Sequence, residues 1–203
     1  CIRDINNGYP PLKIKGKNIS CGEIILPSNI SSQYLTSLLL IGPRLRNGLK
    51  IKLSGQITSY PYVKLTLEFL KRIGVDLEVK RDSIFVKNIT DINEKNIKIE
   101  SDWSSASYFF SAVALSRSSN LKLSFFSTDS LQGDSILVKL YKKLGVVSKI
   151  KNGNLLLSKN SKFQKPNFIN LNLNDTPDLA QTIAVTCLGL KINCELNGLH
   201  TLK

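Results

Sequence analysis

The sequence of 203 residues contains no methionine, and it begins with a cysteine. Translation normally starts at methionine, so we expect this chain to be a central piece of a longer protein. Long apolar runs are also missing, because no fully apolar stretch exceeds the four residues 38–41. A transmembrane helix needs about 20 apolar residues, and no charged and then apolar leader opens the chain. We therefore expect no membrane contact and a cytoplasmic location.

Cysteine and histidine are too scarce for a metal site. The four cysteines are Cys1, Cys21, Cys187 and Cys194, and the single histidine is His200. Their spacings match neither a zinc site nor a redox pair. We expect reduced, partly buried thiols and no bound metal.

Acidic residues are outnumbered by basic ones, 15 against 28, which gives a net charge of +13. Such a charge attracts phosphate groups, and one hypothesis is a noncatalytic basic module that binds RNA or DNA. The lysines are dispersed, however, and no aromatic stacking platform lies between them. A small anionic substrate fits the charge equally well, so we expect no nucleic-acid partner.

Hydrophobic residues make up 42% of the chain, enough for a sizeable core. Alternating apolar and polar residues predict strands at 49–55 and 121–126, and apolar residues at helical spacing predict helices at 63–74 and 135–145. Both halves have the order helix, strand, helix, strand, strand.

This order recurs at a fixed interval. Ser105 lies 73 residues after Ser32, Gly145 lies 71 after Gly74, and Pro177 lies 72 after Ser105. The sequence therefore predicts an α/β (α+β) fold built from repeated βαβαββ units of about 72 residues. One unit cannot bury both of its helices, so several must pack together.

A polar cluster lies at the start of the first helix of each repeat unit. The three clusters are SSQ at 31–33, DWSSAS at 102–107 and NDTPD at 174–178. Such residues cap free backbone N–H groups, and that function alone could explain them. The same N–H groups, with the helix dipole, can also hold an anion. Because the clusters occupy equivalent places in the repeat, we expect them to converge on a common surface.

Five segments in order, SSQYLTSLLL, SYPYVKLTLEFLKRIGV, SDWSSASYFFSA, LQGD and NDTPDLAQTIAV, resemble the 5-enolpyruvylshikimate-3-phosphate synthase family. The resemblance covers nearly the whole chain. It implies a two-lobed enolpyruvyl transferase architecture, with three units in each lobe and only part of each lobe present here. Residues 1–100 would belong to the first lobe, on the shikimate 3-phosphate side, and residues 101–203 to the second.

The resemblance also implies an activity. The family transfers the enolpyruvyl (carboxyvinyl) group of phosphoenolpyruvate to the 5-hydroxyl of shikimate 3-phosphate, in the shikimate pathway to aromatic amino acids. The implied partners are these two substrates, with no metal or organic cofactor, and we expect a monomer. The family's other phosphoenolpyruvate-binding residues and its general acid have no counterpart in this sequence. We therefore expect this piece alone to be inactive.

The residues that match the family's substrate site can be carried over individually. Ser31, Ser32 and Gln33 match the residues that hold shikimate 3-phosphate in the family, and the resemblance implies that Gln33 also lies near phosphoenolpyruvate. Ser59 and Tyr62 match residues on the shikimate side, although a strand-to-helix turn with a half-buried tyrosine would also explain them.

The carboxylate of Asp178 matches the catalytic base, which accepts the proton of the attacking 5-hydroxyl. The alternative is a first-turn acid favoured by the helix dipole, with Asp175 as the cap. Thr201 falls near a position where some members carry a substrate-binding asparagine. Asp102 reads as a helix cap, and residues 132–134 read as a turn and cap.

The nearest alternative function is that of UDP-N-acetylglucosamine enolpyruvyl transferase, which shares the fold and reaction type. Its reactive cysteine loop has no counterpart here, and the segments SSQY and SYPY favour the shikimate substrate.

Overall fold

The computed structural model describes residues 2–6, 8–19, 22–27, 31–55, 59–91 and 96–199. In chain order, the elements of the first half are β1 Ile2–Asn6, β2 Tyr9–Ile14, β3 Glu23–Pro27, α1 Ser32–Ile41, β4 Leu49–Ser54, α2 Tyr60–Arg72, β5 Leu77–Val79 and β6 Ser83–Val86. Those of the second half are α3 Trp103–Leu115, β7 Asn120–Ser124, α4 Leu137–Lys142, β8 Val146–Lys151, β9 Asn154–Lys159, β10 Phe168–Asn172, α5 Ala180–Leu190 and β11 Asn193–Asn197. Short 3-10 turns lie at Gly42–Arg44, Gly133–Ile136 and Pro177–Leu179.

The first repeat unit runs from β3 to β6 in the predicted order βαβαββ. Its sheet has the strand order β3-β4-β6-β5, in which β3 is parallel to β4 and β6 is antiparallel to both neighbours. The alternating sequence of β4 buries Leu49 and Ile51 on one face. Helix α2 buries Val63 and Leu67, four residues apart, in the same core.

The second unit repeats this order from α3 to β9. Its antiparallel sheet β7-β9-β8 corresponds to β4-β6-β5 of the first unit. Between β6 and α3 the described residues form no strand, although the Ser101 N–H donates to the Phe125 carbonyl at 2.7 Å. A third unit begins with β10, α5 and β11, where β10 is parallel to β11 as β3 is to β4. The predicted repeat-based α/β fold is confirmed.

The buried side chains form two separate clusters. One cluster spans Leu35 to Val86, and the other spans Trp103 to Ile192. The second is the larger and contains a buried polar network, in which Thr186 bonds to both Tyr141 and Ser111 at 3.0 and 2.8 Å. Pairing these hydroxyls avoids the free-energy cost of burying them unsatisfied.

The antiparallel hairpin of β1 and β2 lies outside both clusters, and the sequence reasoning did not place it. The side chains of Ile5, Tyr9 and Leu12 in this hairpin are exposed. Within the described part of the chain, every helix is too short or too polar to span a bilayer.

The predicted cap at Asp102 is confirmed. Its carboxylate accepts the backbone N–H groups of Ser104 and Ser105 at 2.9 and 3.2 Å. Burial pushes the pKa of Asp102 up, but the hydrogen bonds from Ser105 and Ser104 outweigh it, so the pKa lies below its usual value. The charged form therefore stabilises the start of α3.

We expect Asp102→Ala to lower the free energy of unfolding by about 1 kcal/mol at neutral pH, because it removes this cap. The native pKa lies below that of the unfolded chain, so the stabilisation is lost as the pH falls through the native pKa. Urea unfolding at neutral and acidic pH measures both effects. Asp129→Ala, in an exposed loop, is the matched control, and an equal loss in both variants would contradict the capping role.

Candidate functional site

A cavity of about 290 Å³ opens where the two halves of the chain meet. It lies at the starts of α1 and α2 and at the turn before α5. Its lining residues are Ser31, Ser32, Gln33, Thr36, Ser59, Tyr62, Leu65, Thr66, Pro177 and Asp178. Six of the seven predicted site residues therefore share one cavity. Thr201, the seventh, lies outside the described residues.

The α1 wall of the cavity is rich in hydrogen-bond donors. Ser31 caps the helix, and its hydroxyl oxygen accepts the Gln33 N–H at 3.3 Å. The first turn holds no acidic residue, so the positive end of the helix dipole is not neutralised there. Ser32 and Gln33, whose side chains carry a hydroxyl and an amide, line the same cavity. The residues that cap the start of α1 thus also form a surface that can bind an anion.

Ser59 precedes α2 in an unusual backbone conformation. Its φ of 54° and ψ of 42° fall in the left-handed region, where residues other than glycine are uncommon. The side chain is only 6% exposed and makes no capping hydrogen bond to α2. Such strain persists only where the surroundings impose it, and it clusters at functional sites.

Tyr62 joins the two halves of the chain. Its hydroxyl donates to Oδ2 of Asp178 at 3.1 Å across 116 positions of sequence. Burial raises the pKa of Tyr62, and the nearby carboxylates of Asp134 and Asp178 raise it further. The phenol therefore stays neutral and keeps its hydrogen for donation.

Asp178 lies in the turn Pro177–Leu179, between two buried neighbours, with its own side chain exposed to the cavity. The suggested cap at Asp175 is wrong, because the turn is preceded by Thr176 and has no side-chain cap. Asp175 instead accepts a hydrogen bond from Asn174 at 3.1 Å. Asp178 is therefore positioned by the turn and by Tyr62, and it can accept a proton from a ligand hydroxyl.

The segment 132–134 forms the predicted turn. The prediction that it also caps the helix that follows is wrong. Gln132 makes no side-chain hydrogen bond to that turn. Instead its Oε1 accepts the Trp103 N–H at 2.9 Å, and its Nε2 donates to the Ser101 carbonyl at 3.0 Å. Gln132 therefore fixes the start of α3 from outside the helix.

The carboxylate of Asp134 was missed as a site residue. It is buried beside Tyr62, and its Oδ2 accepts the Ser104 hydroxyl at 2.5 Å. Thr36 and Thr66 of the cavity wall were missed too. Thr36 follows Ser32 by four positions, and Thr66 follows Tyr62 by four, which is about one helical turn in each case. This spacing could have suggested that both threonines lie on the same helix face as a predicted site residue.

Gly133 allows the two halves to come close. A methyl group there would lie 2.7 Å from Cβ of Pro61 and 3.5 Å from the Asp175 carbonyl oxygen. The glycine thus sits between the start of α2, which carries Tyr62, and the segment that leads to Asp178.

A larger groove of about 1040 Å³ also lies between the halves, near Phe69 and Phe125, but it is lined by none of the six predicted site residues that the structure describes. No group of three or more metal-ligating side chains occurs among the described residues. The polar residues that line the smaller cavity offer hydroxyls, one amide and one carboxylate.

A family profile described as "EPSP synthase (3-phosphoshikimate 1-carboxyvinyltransferase)" matches residues 2–203. A 3-phosphoshikimate 1-carboxyvinyltransferase of Bacteroides fragilis strain YCH46 is 38% identical over 198 residues, which cover 98% of this chain and 48% of that protein. Its counterpart in Marinomonas sp. strain MWYL1 is 36% identical over 90% of this chain and 42% of its own length. The chain thus spans about half the length of the curated relatives it matches.

Among solved structures, an EPSP synthase from Acinetobacter baumannii superimposes with a TM-score of 0.61 at 18% identity. The match covers 92% of this chain and 43% of that chain. At this level of identity the likeness concerns the fold, which is that of a two-domain enolpyruvyl transferase.

We expect Gly133→Ala to destabilise the protein by about 1–3 kcal/mol, because the rigid ring of Pro61 cannot move away from the added methyl group. Thermal unfolding measures the change. Gly16→Ala, where nothing lies within 4 Å of the added carbon, should leave stability within about 0.5 kcal/mol. Equal effects of the two substitutions would show that the close approach at Gly133 is not a constraint.

Proposed function

Because this chain belongs to the EPSP synthase family, we propose that the complete protein transfers the enolpyruvyl group of phosphoenolpyruvate to the 5-hydroxyl of shikimate 3-phosphate. The products are 5-enolpyruvylshikimate 3-phosphate and inorganic phosphate. The observation that carries the proposal is the convergence of Ser31–Gln33, Ser59, Tyr62 and Asp178 on one cavity.

We propose that shikimate 3-phosphate binds against the start of α1. Its phosphate would accept hydrogen bonds from the helix N-terminus and from the hydroxyls of Ser31 and Ser32, with the amide of Gln33 reaching toward both substrates. The absence of an acid from the first turn of α1 supports this placement, since it leaves the helix dipole free to attract an anion. Ser59 and Tyr62 would line the ring side of the same substrate.

Asp178 is proposed as the general base. As the substrate oxygen bonds to C2 of phosphoenolpyruvate, the hydroxyl proton passes to the carboxylate, the C2=C3 double bond opens and C3 takes a proton from a general acid. Loss of phosphate from C2 and of a proton from C3 then restores the double bond. The Tyr62 hydrogen bond occupies Oδ2, which leaves Oδ1 to receive the proton. The remaining contacts to phosphoenolpyruvate are expected from other parts of the protein.

Residues 1–100 and 101–203 are proposed to be parts of two lobes. The two separate core clusters support this division. The hydrogen bond from Tyr62 to Asp178 would then lie across the cleft between the lobes. We further infer a cytoplasmic monomer whose partners are its two substrates, without nucleic acid or a cofactor. A substrate contact from Thr201 stays a prediction.

Phosphate release by the complete protein tests the function. Turnover should require both phosphoenolpyruvate and shikimate 3-phosphate. Turnover with UDP-N-acetylglucosamine alone as acceptor would establish the related transferase instead. Micromolar, salt-sensitive binding of RNA without any response to shikimate 3-phosphate would favour the basic nucleic-acid module.

Asp178→Asn in the complete protein should lower kcat by about 100-fold or more while changing the affinity for substrates far less. Asparagine keeps the size and some hydrogen bonding but cannot take the proton. Steady-state kinetics measures kcat, and calorimetry measures substrate affinity. Asp175→Asn, three residues away and outside the cavity lining, should behave like the parent. A near-normal kcat for Asp178→Asn would leave that residue as a helix-start acid only.

The double substitution Ser32→Ala with Gln33→Ala should weaken shikimate 3-phosphate binding by at least about tenfold, since each lost hydrogen bond to a charged group costs about 1.5–3 kcal/mol. Isothermal titration calorimetry measures the loss. Ser37→Ala on the same helix is the control, because its hydroxyl donates to the Tyr34 carbonyl and does not line the cavity. Unchanged binding in the double variant would place the phosphate elsewhere.

A further inference from the structure

The middle repeat unit lacks a strand that both of its neighbours have. In the first unit β3 lies parallel to β4 over five residue pairs, and in the third unit β10 lies parallel to β11 over five pairs. The strand that corresponds to β4 and β11 in the middle unit is β7, which follows the first helix of that unit. Among the described residues β7 pairs only with β9, so no strand lies along its other edge. The backbone N–H and C=O groups of such an edge can pair with a further strand.

The segment 96–100 has the sequence of the missing strand but does not form it. It lies 73 residues after β3 and 72 residues before β10. Two isoleucines, Ile97 and Ile99, alternate in it with polar residues. The apolar pair of β10, Ile169 and Leu171, is 7% and 5% exposed, whereas Ile99 is 82% exposed. Ile97 and Ile99 line the larger groove instead of a core.

A hydrogen bond just beyond this segment sets its register against β7. The Ser101 N–H donates to the Phe125 carbonyl at 2.7 Å. In a parallel ladder such a bond pairs Ser101 with the residue after Phe125, and the preceding residues of both strands then pair in step. Ile99 would therefore lie opposite Ser124.

This register would place the two isoleucines on the wrong face of the sheet. Ser124 is exposed, and the residues of β7 that pack against the core are Leu121 and Leu123, which alternate with it. Residues that lie opposite each other in a sheet point to the same face, so the isoleucines would point to solvent. A slip of one residue would turn them toward the core, but it would break the hydrogen bond of Ser101.

Further polar contacts hold the segment in its observed position. The Ser101 hydroxyl donates to the Ser124 carbonyl at 2.9 Å. The Glu100 carboxylate accepts the Ser130 hydroxyl at 2.5 Å and the Ser127 N–H at 3.3 Å. The segment 96–100 therefore leaves the edge of β7 to another strand.

The charge on β7 indicates what kind of strand fits this edge. On β4, Lys52 forms a salt bridge with Glu23 of the neighbouring β3 at 2.6 Å. Lys122 has the same place in β7, since both lysines are followed by Leu-Ser. In the part of the chain that the structure describes, Lys122 has no salt bridge. An acidic residue on an added strand would supply its partner.

We propose that the open edge of β7 binds a parallel strand from the part of the complete protein that lies outside residues 1–203. This strand presents apolar side chains beside Leu121 and Leu123, which are only half-buried, and an acidic side chain to Lys122. The curated relatives are about twice as long as this chain, so a protein of that length has further strands to supply. Completion of the sheet does not depend on the proposed reaction.

Hydrogen exchange in the complete protein tests this pairing. A strand paired on both sides has all of its N–H groups in hydrogen bonds, whereas about every second N–H of an edge strand faces solvent. We expect every backbone N–H of residues 120–124 to exchange slowly. Strand β8, at the opposite edge of the same sheet, is the control, and alternate N–H groups of residues 146–151 should exchange fast. Fast exchange of alternate N–H groups in β7 as well would overturn the proposal.

Photo-crosslinking identifies the added strand. A photoreactive benzoylphenylalanine replaces Lys122 in the complete protein, and mass spectrometry locates the residues to which it links. The expected link is to a segment outside residues 1–203 that carries an acidic residue. The same replacement at Lys149, which is exposed on β8, is the control and should give no link to that segment.

Two crosslinking results would overturn the proposal. A link to residues 96–100 would show that the chain's own segment takes the edge after all. A link between two molecules would show that a second copy of the protein takes it. If the variant at Lys122 does not fold, hydrogen exchange in the parent protein decides whether the edge is paired.

Discussion

The hydrogen bond between Tyr62 and Asp178 is the interaction on which the rest of the candidate site depends. Its two residues belong to parts of the chain with separate cores, so no local folding rule brings them together. The contact requires the start of α2 to approach the turn before α5. Gly133 makes that approach possible, because any side chain at this position would collide with Pro61.

Because the contact between Tyr62 and Asp178 brings the turn before α5 close to the starts of α1 and α2, the cavity has two chemically different walls. The α1 wall presents hydroxyls, an amide and the positive end of a helix. The opposite wall presents the carboxylate of Asp178, with a second carboxylate, Asp134, buried behind it. A ligand that carries both an anionic group and a hydroxyl hydrogen matches both walls at once. Shikimate 3-phosphate has both features.

The repeat and most elements could be predicted from the sequence, because their apolar residues recur at helix or strand spacing. Strand β4 begins at the predicted residue 49, and helix α2 overlaps the predicted helix 63–74 but begins at Tyr60 and ends at Arg72. The hairpin of β1 and β2 could not be predicted this way, because β2 is exposed on both faces and its sequence YPPLKI does not alternate clearly between apolar and polar residues.

The candidate site was predicted mainly through the family's segments, and the interactions around it were not. Residues 132–134 read locally as a turn with a cap, and Asp175 reads as the cap of α5. Which acid becomes buried and which caps a helix depends on packing between elements that are distant in sequence, as Gln132 and Asp134 show by accepting hydrogen bonds from the start of α3. Spacing along the chain contains no information about such contacts.

The position of the cavity has a thermodynamic consequence. A ligand that touches the start of α1 and Asp178 at once bridges the two halves of the chain, so its binding and the association of those halves are linked equilibria. Association of the two halves raises the affinity for such a ligand by the same factor as the ligand strengthens that association. Residues that never touch the ligand can therefore tune how tightly it is held.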